Sequence, residues 1–300
     1  MKSLKGKVAV VAGASRGAGR GIALALGEAG ATVYVAGRTA RKGKKPPDGA
    51  PETIEDTAEA VIARGGVGIA VKTDCTHEDD VAALFERVAK EQGKLDVLAN
   101  AVWGAADAYP TEDDFMAAWS KPFWEQPTAS WKHMMGAGPR AYYLMSWHAM
   151  RLMAPAKKGL IVGLTDGILD GVSEGVLEGK EFGGFQGQLL WDLSHICINR
   201  MMSCMAFEAK KHKVAVITLM PGFMQTERVM RSLTSEKLKK QFGFEKSESV
   251  EYIGRAVAAL AGDSKALKKS GRIHFVADLA KEYGFTDVDG RYIPRFGIGA

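Results

Sequence analysis

The residues best suited to chemistry lie in one short turn, Gly13-Ala14-Ser15-Arg16-Gly17-Ala18-Gly19. An apolar run from Val8 to Ala12 leads into it, and helical periodicity begins directly behind it. Glycines at a strand-to-helix turn let the backbone close tightly and approach a pyrophosphate seated at the positive end of the helix. Ser15 adds a hydroxyl to the same turn. Arg16 lies within it, and Arg38 ends a second apolar run as Val35-Ala36-Gly37-Arg38, where no carboxylate stands. A carboxylate there would accept hydrogen bonds from a ribose 2′-hydroxyl and repel a 2′-phosphate; guanidinium groups do the reverse. The two arginines therefore predict NADP(H) in preference to NAD(H).

A turn of this kind has to be carried by a parallel sheet. Short apolar runs at 8–12, 32–36, 68–71, 95–99, 160–164, 214–219 and 272–275 predict strands. Helical patterns at 17–28, 54–64, 78–92, 130–153, 189–211 and 250–261 separate them. Such alternation predicts an α/β fold, a Rossmann-type doubly wound parallel sheet. No composition break divides the series, so residues 1–300 are expected to form a single domain with a C-terminal extension at about 276–300. Three segments interrupt the pattern: 39–51 is basic and rich in Pro and Gly, 103–126 is aromatic and acidic, and 166–188 is glycine-rich. The last two leave carboxyl ends of strands, where open α/β sheets bind ligands. The aromatic segment is thus expected to help form a substrate pocket.

The G-x-x-x-G-x-G spacing resembles that of the short-chain dehydrogenase/reductase family, and further motifs extend the likeness over about residues 5–262. Asp74 follows the third strand. Asn100 ends the fourth in Leu98-Ala99-Asn100-Ala101-Val102-Trp103, which is similar to the family's N-N-A-G. Pro221-Gly222-Phe223-Met224-Gln225-Thr226 resembles its P-G-x-x-x-T turn. Pro122-Phe123-Trp124-Glu125 and the tail from Asp278-Leu279-Ala280 to Asp287-Val288-Asp289-Gly290 resemble the family branch that includes dehydrogenase/reductase member 1. The resemblance implies that Asp74 bonds the adenine, that Asn100 lines the cofactor site, and that Thr226, beside Pro221 and Gly222, holds the nicotinamide end. It also implies a homodimer or homotetramer that pairs the helices at 130–153 and 189–211.

The family's Asn, Ser, Tyr and Lys are all replaced. Read back along an ungapped helix from Pro221-Gly222, Trp191-Asp192-Leu193-Ser194-His195 fills the Y-x-x-x-K slot, Asp166 the Ser slot and Gly138 the Asn slot. In the family Tyr donates the proton, Ser polarises the substrate oxygen, and Lys assists Tyr and holds the ribose. An indole N–H only donates hydrogen bonds, so Trp191 cannot serve as acid or base. His195 can carry a proton or bond a ribose, and its position one helical turn from Trp191 predicts that it meets the cofactor first. A carboxyl group in an apolar pocket stays protonated more readily, which would let Asp166 polarise or protonate a carbonyl or imine. Before Gly167 the same residue also suits a plain turn. Tyr142, Tyr143, Met201, Met202 and Met205 fit core or subunit-interface positions at helical spacing.

Composition removes several other classes. The net charge of +5 is modest and concentrated in Arg38, Arg41, Lys42, Lys44 and Lys45, a local phosphate-facing patch and no nucleic-acid surface. His133, His148 and His212 lack ligand spacing, so no metal is expected. Cys75, Cys197 and Cys204 form no C-x-x-C pair, which suits a reducing cytoplasm. A polar N-terminus and the lack of any run near ~20 apolar residues predict neither a signal peptide nor a membrane span. The expectation is an NADP(H)-dependent oxidoreductase of a small carbonyl-like molecule (ketone, aldehyde or imine). The alternatives are an NADP(H)-binding protein that keeps the nucleotide fold without the chemistry, as a sensor or partner subunit, and a non-redox enzyme that uses the nucleotide structurally.

Overall fold

The apolar runs become seven parallel strands: β1 (Val8–Ala12), β2 (Thr32–Gly37), β3 (Val67–Lys72), β4 (Val97–Asn100), β5 (Gly159–Leu164), β6 (Val214–Met220) and β7 (Ile273–Phe275). The computed structural model describes residues 3–166, 188–233, 235–241 and 243–295. In it the strands form one sheet in the order β3-β2-β1-β4-β5-β6-β7. Both β1 and β4 are buried along their whole length, because helices cover both faces, which is why they read as unbroken apolar runs. Strand order reverses between β1 and β4, so the ligand crevice of a doubly wound sheet opens at their carboxyl ends. Ala12 pairs with Asn100 and Asn100 with Gly163, which brings the exits of β1, β4 and β5 to one level.

Two apolar layers sandwich the sheet. One packs Gly17–Glu28, Ile54–Ala63 and Val250–Gly262 on the first face, through side chains such as Ile22, Val61 and Val257. The other packs Glu78–Gln92, Ala141–Ala156 and Leu189–Ala209, through Val88, Met145 and Met202. Helices Gly17–Glu28 and Val250–Gly262 touch backbone to backbone: a Cβ on Gly21 would lie 1.7 Å from the Val250 carbonyl oxygen.

Three elements differ from the sequence pattern. The expected helix at 130–153 is two helices, Ala129–Met135 and Ala141–Ala156, joined by a π-helical turn Gly136–Arg140. Gly138 leaves helical geometry there (φ −88°, ψ −109°), next to Pro139, which has no N–H to donate. Segment 103–126 is no plain loop: it holds Ala105–Ala108 and Glu112–Ser120, the second started by a Thr111/Asp114 capping box. The tail is part of the core rather than an appendage, since Val276, Leu279, Phe285 and Ile293 are buried in the first apolar layer. From that tail Asp287 accepts the Ser249 N–H at 2.8 Å, at the start of Val250–Gly262. Of the glycine-rich segment 166–188, only Asp166 and Gln188 fall within the described residues.

The turn that leaves β6 is clamped from below by Glu248, which is 1% exposed. Gly222 N–H donates to its Oε2 at 3.0 Å. Glu248 N–H donates to the Phe223 carbonyl, and Gln225 N–H to the Glu248 carbonyl, each at 2.8 Å. Burial pushes the carboxyl from its ordinary 4.5 up to about 8; the Gly222 hydrogen bond opposes this and Asp287 adds to it. The folded chain therefore keeps a proton that the unfolded chain releases, and stability falls as pH rises from about 4.5 to about 8. Glu248→Gln keeps an acceptor for Gly222 and removes the titration. In urea unfolding, its stability relative to the parent protein should increase across that pH window; a constant difference would show that Glu248 does not titrate there.

Candidate active site

At the crevice the glycine turn is built from backbone that excludes side chains. Gly13 has φ +74°, and a Cβ on it would sit 2.7 Å from the Ala101 carbonyl oxygen; one on Gly19 would sit 2.3 Å from the Gly13 carbonyl oxygen. Ser15 holds the turn to the neighbouring helix, its carbonyl accepting the Thr57 hydroxyl at 3.3 Å. Gly17 begins the helix with an N–H that has no intrahelical acceptor. That N–H donates to Glu227 Oε2 at 2.7 Å.

The two arginines expected to share one phosphate lie apart in their pairing. Arg16 is bidentate to Asp48 of segment 39–51, with its shorter contact at 2.8 Å. Arg38 pairs at 2.5 Å with Asp107 of helix Ala105–Ala108. Burial pulls the Arg38 guanidinium down, and the Asp107 contact outweighs it, so the group is held above its ordinary range. Burial pushes the Asp74 carboxyl up, but hydrogen bonds from Thr76 prevail and hold it below its ordinary value. Asn100 is fully buried; its Nδ2 donates to Ser146 Oγ at 3.2 Å, and its Oδ1 has no partner. Pro221 and Gly222 follow β6 as expected, and Thr226 caps Glu227–Ser232 by accepting the Val229 N–H at 3.2 Å.

The structure brings together the three residues that the sequence reading set in catalytic slots. Asp166 lies just past β5, and Trp191 and His195 stand on Leu189–Ala209. His195 Nδ1 is 2.7 Å from Asp166 Oδ1 and 2.9 Å from the Trp191 carbonyl oxygen. A carbonyl only accepts, so Nδ1 carries the hydrogen. The expectation that His195 meets the cofactor first left out this contact with Asp166.

An aromatic wall stands beside the pair. The Trp103 ring lies 4.2 Å from that of His195, tilted by 31°, and 5.0 Å from that of Trp191; Trp119 lies 5.4 Å from Trp191. Gly138 borders this wall: a Cβ there would meet Ser194 at 3.6 Å and Trp103 at 3.7 Å, ordinary contact distances. The indole nitrogens of Trp103 and Trp191 are buried without an acceptor among the described residues. Gln188 fastens the aromatic segment to the helix by donating to Tyr109 Oη and, at 3.0 Å, to Gln126 Oε1. Arg228 reinforces it, donating to the Tyr109 carbonyl at 2.8 Å with its guanidinium 4.9 Å over Phe115.

Sequence reasoning missed Asp48, Asp107, Glu227 and Glu248. Only Glu227 gave a hint, as an acidic residue directly after the Thr226 cap. Among the described residues no cluster of His, Cys, Asp or Glu could hold a metal ion, and no helix is long and apolar enough to cross a membrane. A dinucleotide does fit the residues present: a glycine backbone with no room for side chains, a helix-end amide already bonded to an anionic group, and two guanidinium groups alongside.

Comparison with known proteins agrees with this geometry. A family model described as short chain dehydrogenase matches residues 7–166. Over 303 residues the chain is 36% identical to Dehydrogenase/reductase SDR family member 1 of Mus musculus, covering 98% of this chain and 87% of that protein. Its Homo sapiens counterpart is 35% identical over 301 residues, with the same coverage. In fold, the chain is similar to a short chain dehydrogenase from Mycobacterium thermoresistibile, with a TM-score of 0.75 at 21% identity over 95% of this chain and 90% of that one. The chain belongs to the short-chain dehydrogenase/reductase family, oxidoreductases that use nicotinamide cofactors.

Proposed function

We propose that this protein is an NADP(H)-dependent oxidoreductase acting on a ketone, aldehyde or imine of a small, partly apolar molecule, with Asp166 and His195 as its proton-exchanging pair. The 2.7 Å contact between them carries the reading, because it sets a carboxyl group and an imidazole side by side next to Trp191, which cannot itself exchange a proton. Asp166, once protonated, would give its proton to the substrate, and His195, whose Nδ1 hydrogen lies beside the carboxyl, would steady the charge left behind. Asp166 is the more accessible member, with 33% of its side chain exposed against 7% for His195, and so is the one a substrate meets. Giving the proton to a substrate oxygen or nitrogen leaves the pair with one negative charge, which water then neutralises. Bound NADPH supplies the hydride.

Gly13, Ser15, Gly17, Gly19, Asp74, Asn100, Pro221, Gly222 and Thr226 would hold the dinucleotide, with Arg16 and Arg38 toward its 2′-phosphate. Trp103, Trp119 and Trp191 would cover the apolar body of the substrate, the buried indole N–H groups of Trp103 and Trp191 suiting an acceptor atom on it. Exposed Tyr143 and Trp147 on one long helix, with Ile196 and Phe207 on the other, support a homodimer or homotetramer. Three free cysteines support a reducing cytoplasm as the compartment, with neither nucleic acid nor membrane as partner.

Three measurements test this reading. NADPH should bind at least about tenfold more tightly than NADH, a difference of ~1.4 kcal/mol. Arg38→Ala should abolish most of that ratio in a fluorescence titration; equal affinities in the parent protein would remove the NADP assignment. Against a panel of carbonyls and imines, Asp166→Asn should lower turnover by ~10²-fold or more, with NADPH affinity changed by less than about twofold. A panel that yields no turnover while NADPH binds tightly would replace the enzyme with a cofactor-binding sensor or subunit. Light scattering at micromolar concentration should give a dimer or tetramer, and a monomer would refute the paired-helix interface.

A further inference from the structure

Three acidic side chains pair with the groups that the proposed function assigns to a dinucleotide's phosphates. Glu227 Oε2 takes the Gly17 N–H at 2.7 Å, at the helix end that follows the glycine turn. Asp107 holds Arg38 at 2.5 Å and Asp48 holds Arg16 at 2.8 Å. The contacts span 210, 69 and 32 residues of sequence, so none is an incidental neighbour contact. Helix Gly17–Glu28 has no acidic residue in its own first turn, and Glu227 supplies that charge from outside. Asp48 and Asp107 are nearly buried, with 7% and 9% of their side chains exposed, while Arg16 and Arg38 keep 22% and 48%.

We infer that Glu227, Asp48 and Asp107 are internal counter-anions that set the affinity and phosphate selectivity of the cofactor site, each occupying a phosphate's partner until the dinucleotide takes it over. The inference rests on the dinucleotide reading above. A helix-end amide bonded to a carboxylate cannot also bond a diphosphate oxygen, and a carboxylate that stays close repels the incoming charge. Binding therefore exchanges one anion for another at each position, and the measured affinity is the difference. The exchange divides the three residues by role. Glu227 opposes the diphosphate, which NADPH and NADH share. Asp48 and Asp107 oppose the 2′-phosphate, which only NADPH carries.

The test is calorimetric or fluorescence titration of the full chain with NADPH and with NADH. Glu227→Gln keeps an acceptor for the Gly17 N–H and loses the charge. It should tighten both cofactors by a similar factor, about fivefold, equivalent to about 1 kcal/mol. Asp107→Asn and Asp48→Asn should tighten NADPH by a similar amount and leave NADH unchanged. All three gains should shrink as salt is raised, since their origin is charge. Circular dichroism checks that each variant is folded, and Glu227→Ala gives a second variant at the diphosphate position. Unchanged or weaker binding in the folded Glu227 variants, while the parent protein binds NADPH, would overturn the counter-anion inference alone. A parent protein that binds neither dinucleotide would overturn the cofactor reading, and the inference with it.

Discussion

Gly13 packs against the peptide linking Ala101 and Val102 so closely that no Cβ fits, and it does so in the left-handed region at φ +74°. That contact joins the turn after β1 to the exit of β4, the two strands between which the order of the sheet reverses. Everything above the sheet is placed relative to it. The turn aims the Gly17 amide, Asn100 ends level with Ala12, and the peptide of Ala101 leads to Trp103 two residues later. A side chain at Gly13 would push these apart together, so one backbone contact fixes both the cofactor end and the aromatic end of the crevice.

At the aromatic end the replacements make sense as a set rather than one by one. The Trp103 ring lies tilted over His195, Trp191 packs edge-on to Trp103, and Gly138 borders both Trp103 and Ser194. Aromatic packing of this kind is rigid and apolar, and it walls one side of the place where Asp166 meets His195.

The sheet was legible in the sequence because a parallel sheet buried on both faces writes itself as apolar runs, and the glycine turn was legible because only glycine satisfies its backbone. The helix break at Gly136–Arg140 was harder to see, since the apolar pattern resumes on its far side, although Gly138-Pro139 marked it. Helix Glu112–Ser120 was missed because its aromatic composition outweighed the capping signal at Thr111. Asp166, Trp191 and His195 were found as slots of a resemblance, but their contact was not, because it depends on how a strand exit faces a helix. Glu227, Asp48 and Asp107 left almost no local signal: each meets its partner across a sequence distance that only the folded sheet closes.

The buried tail has a consequence for how this protein is handled. Asp287 holds Ser249, the residue before Ser249 is Glu248, and Glu248 holds Gly222. These contacts form a mechanical linkage that runs from near the C-terminus to the turn beside the cofactor crevice. Shortening the chain before Asp287, or fusing a bulky domain there, would slacken that linkage at its far end. Loss of function in such a chain would arise at the nucleotide crevice, although no residue of the crevice had been touched.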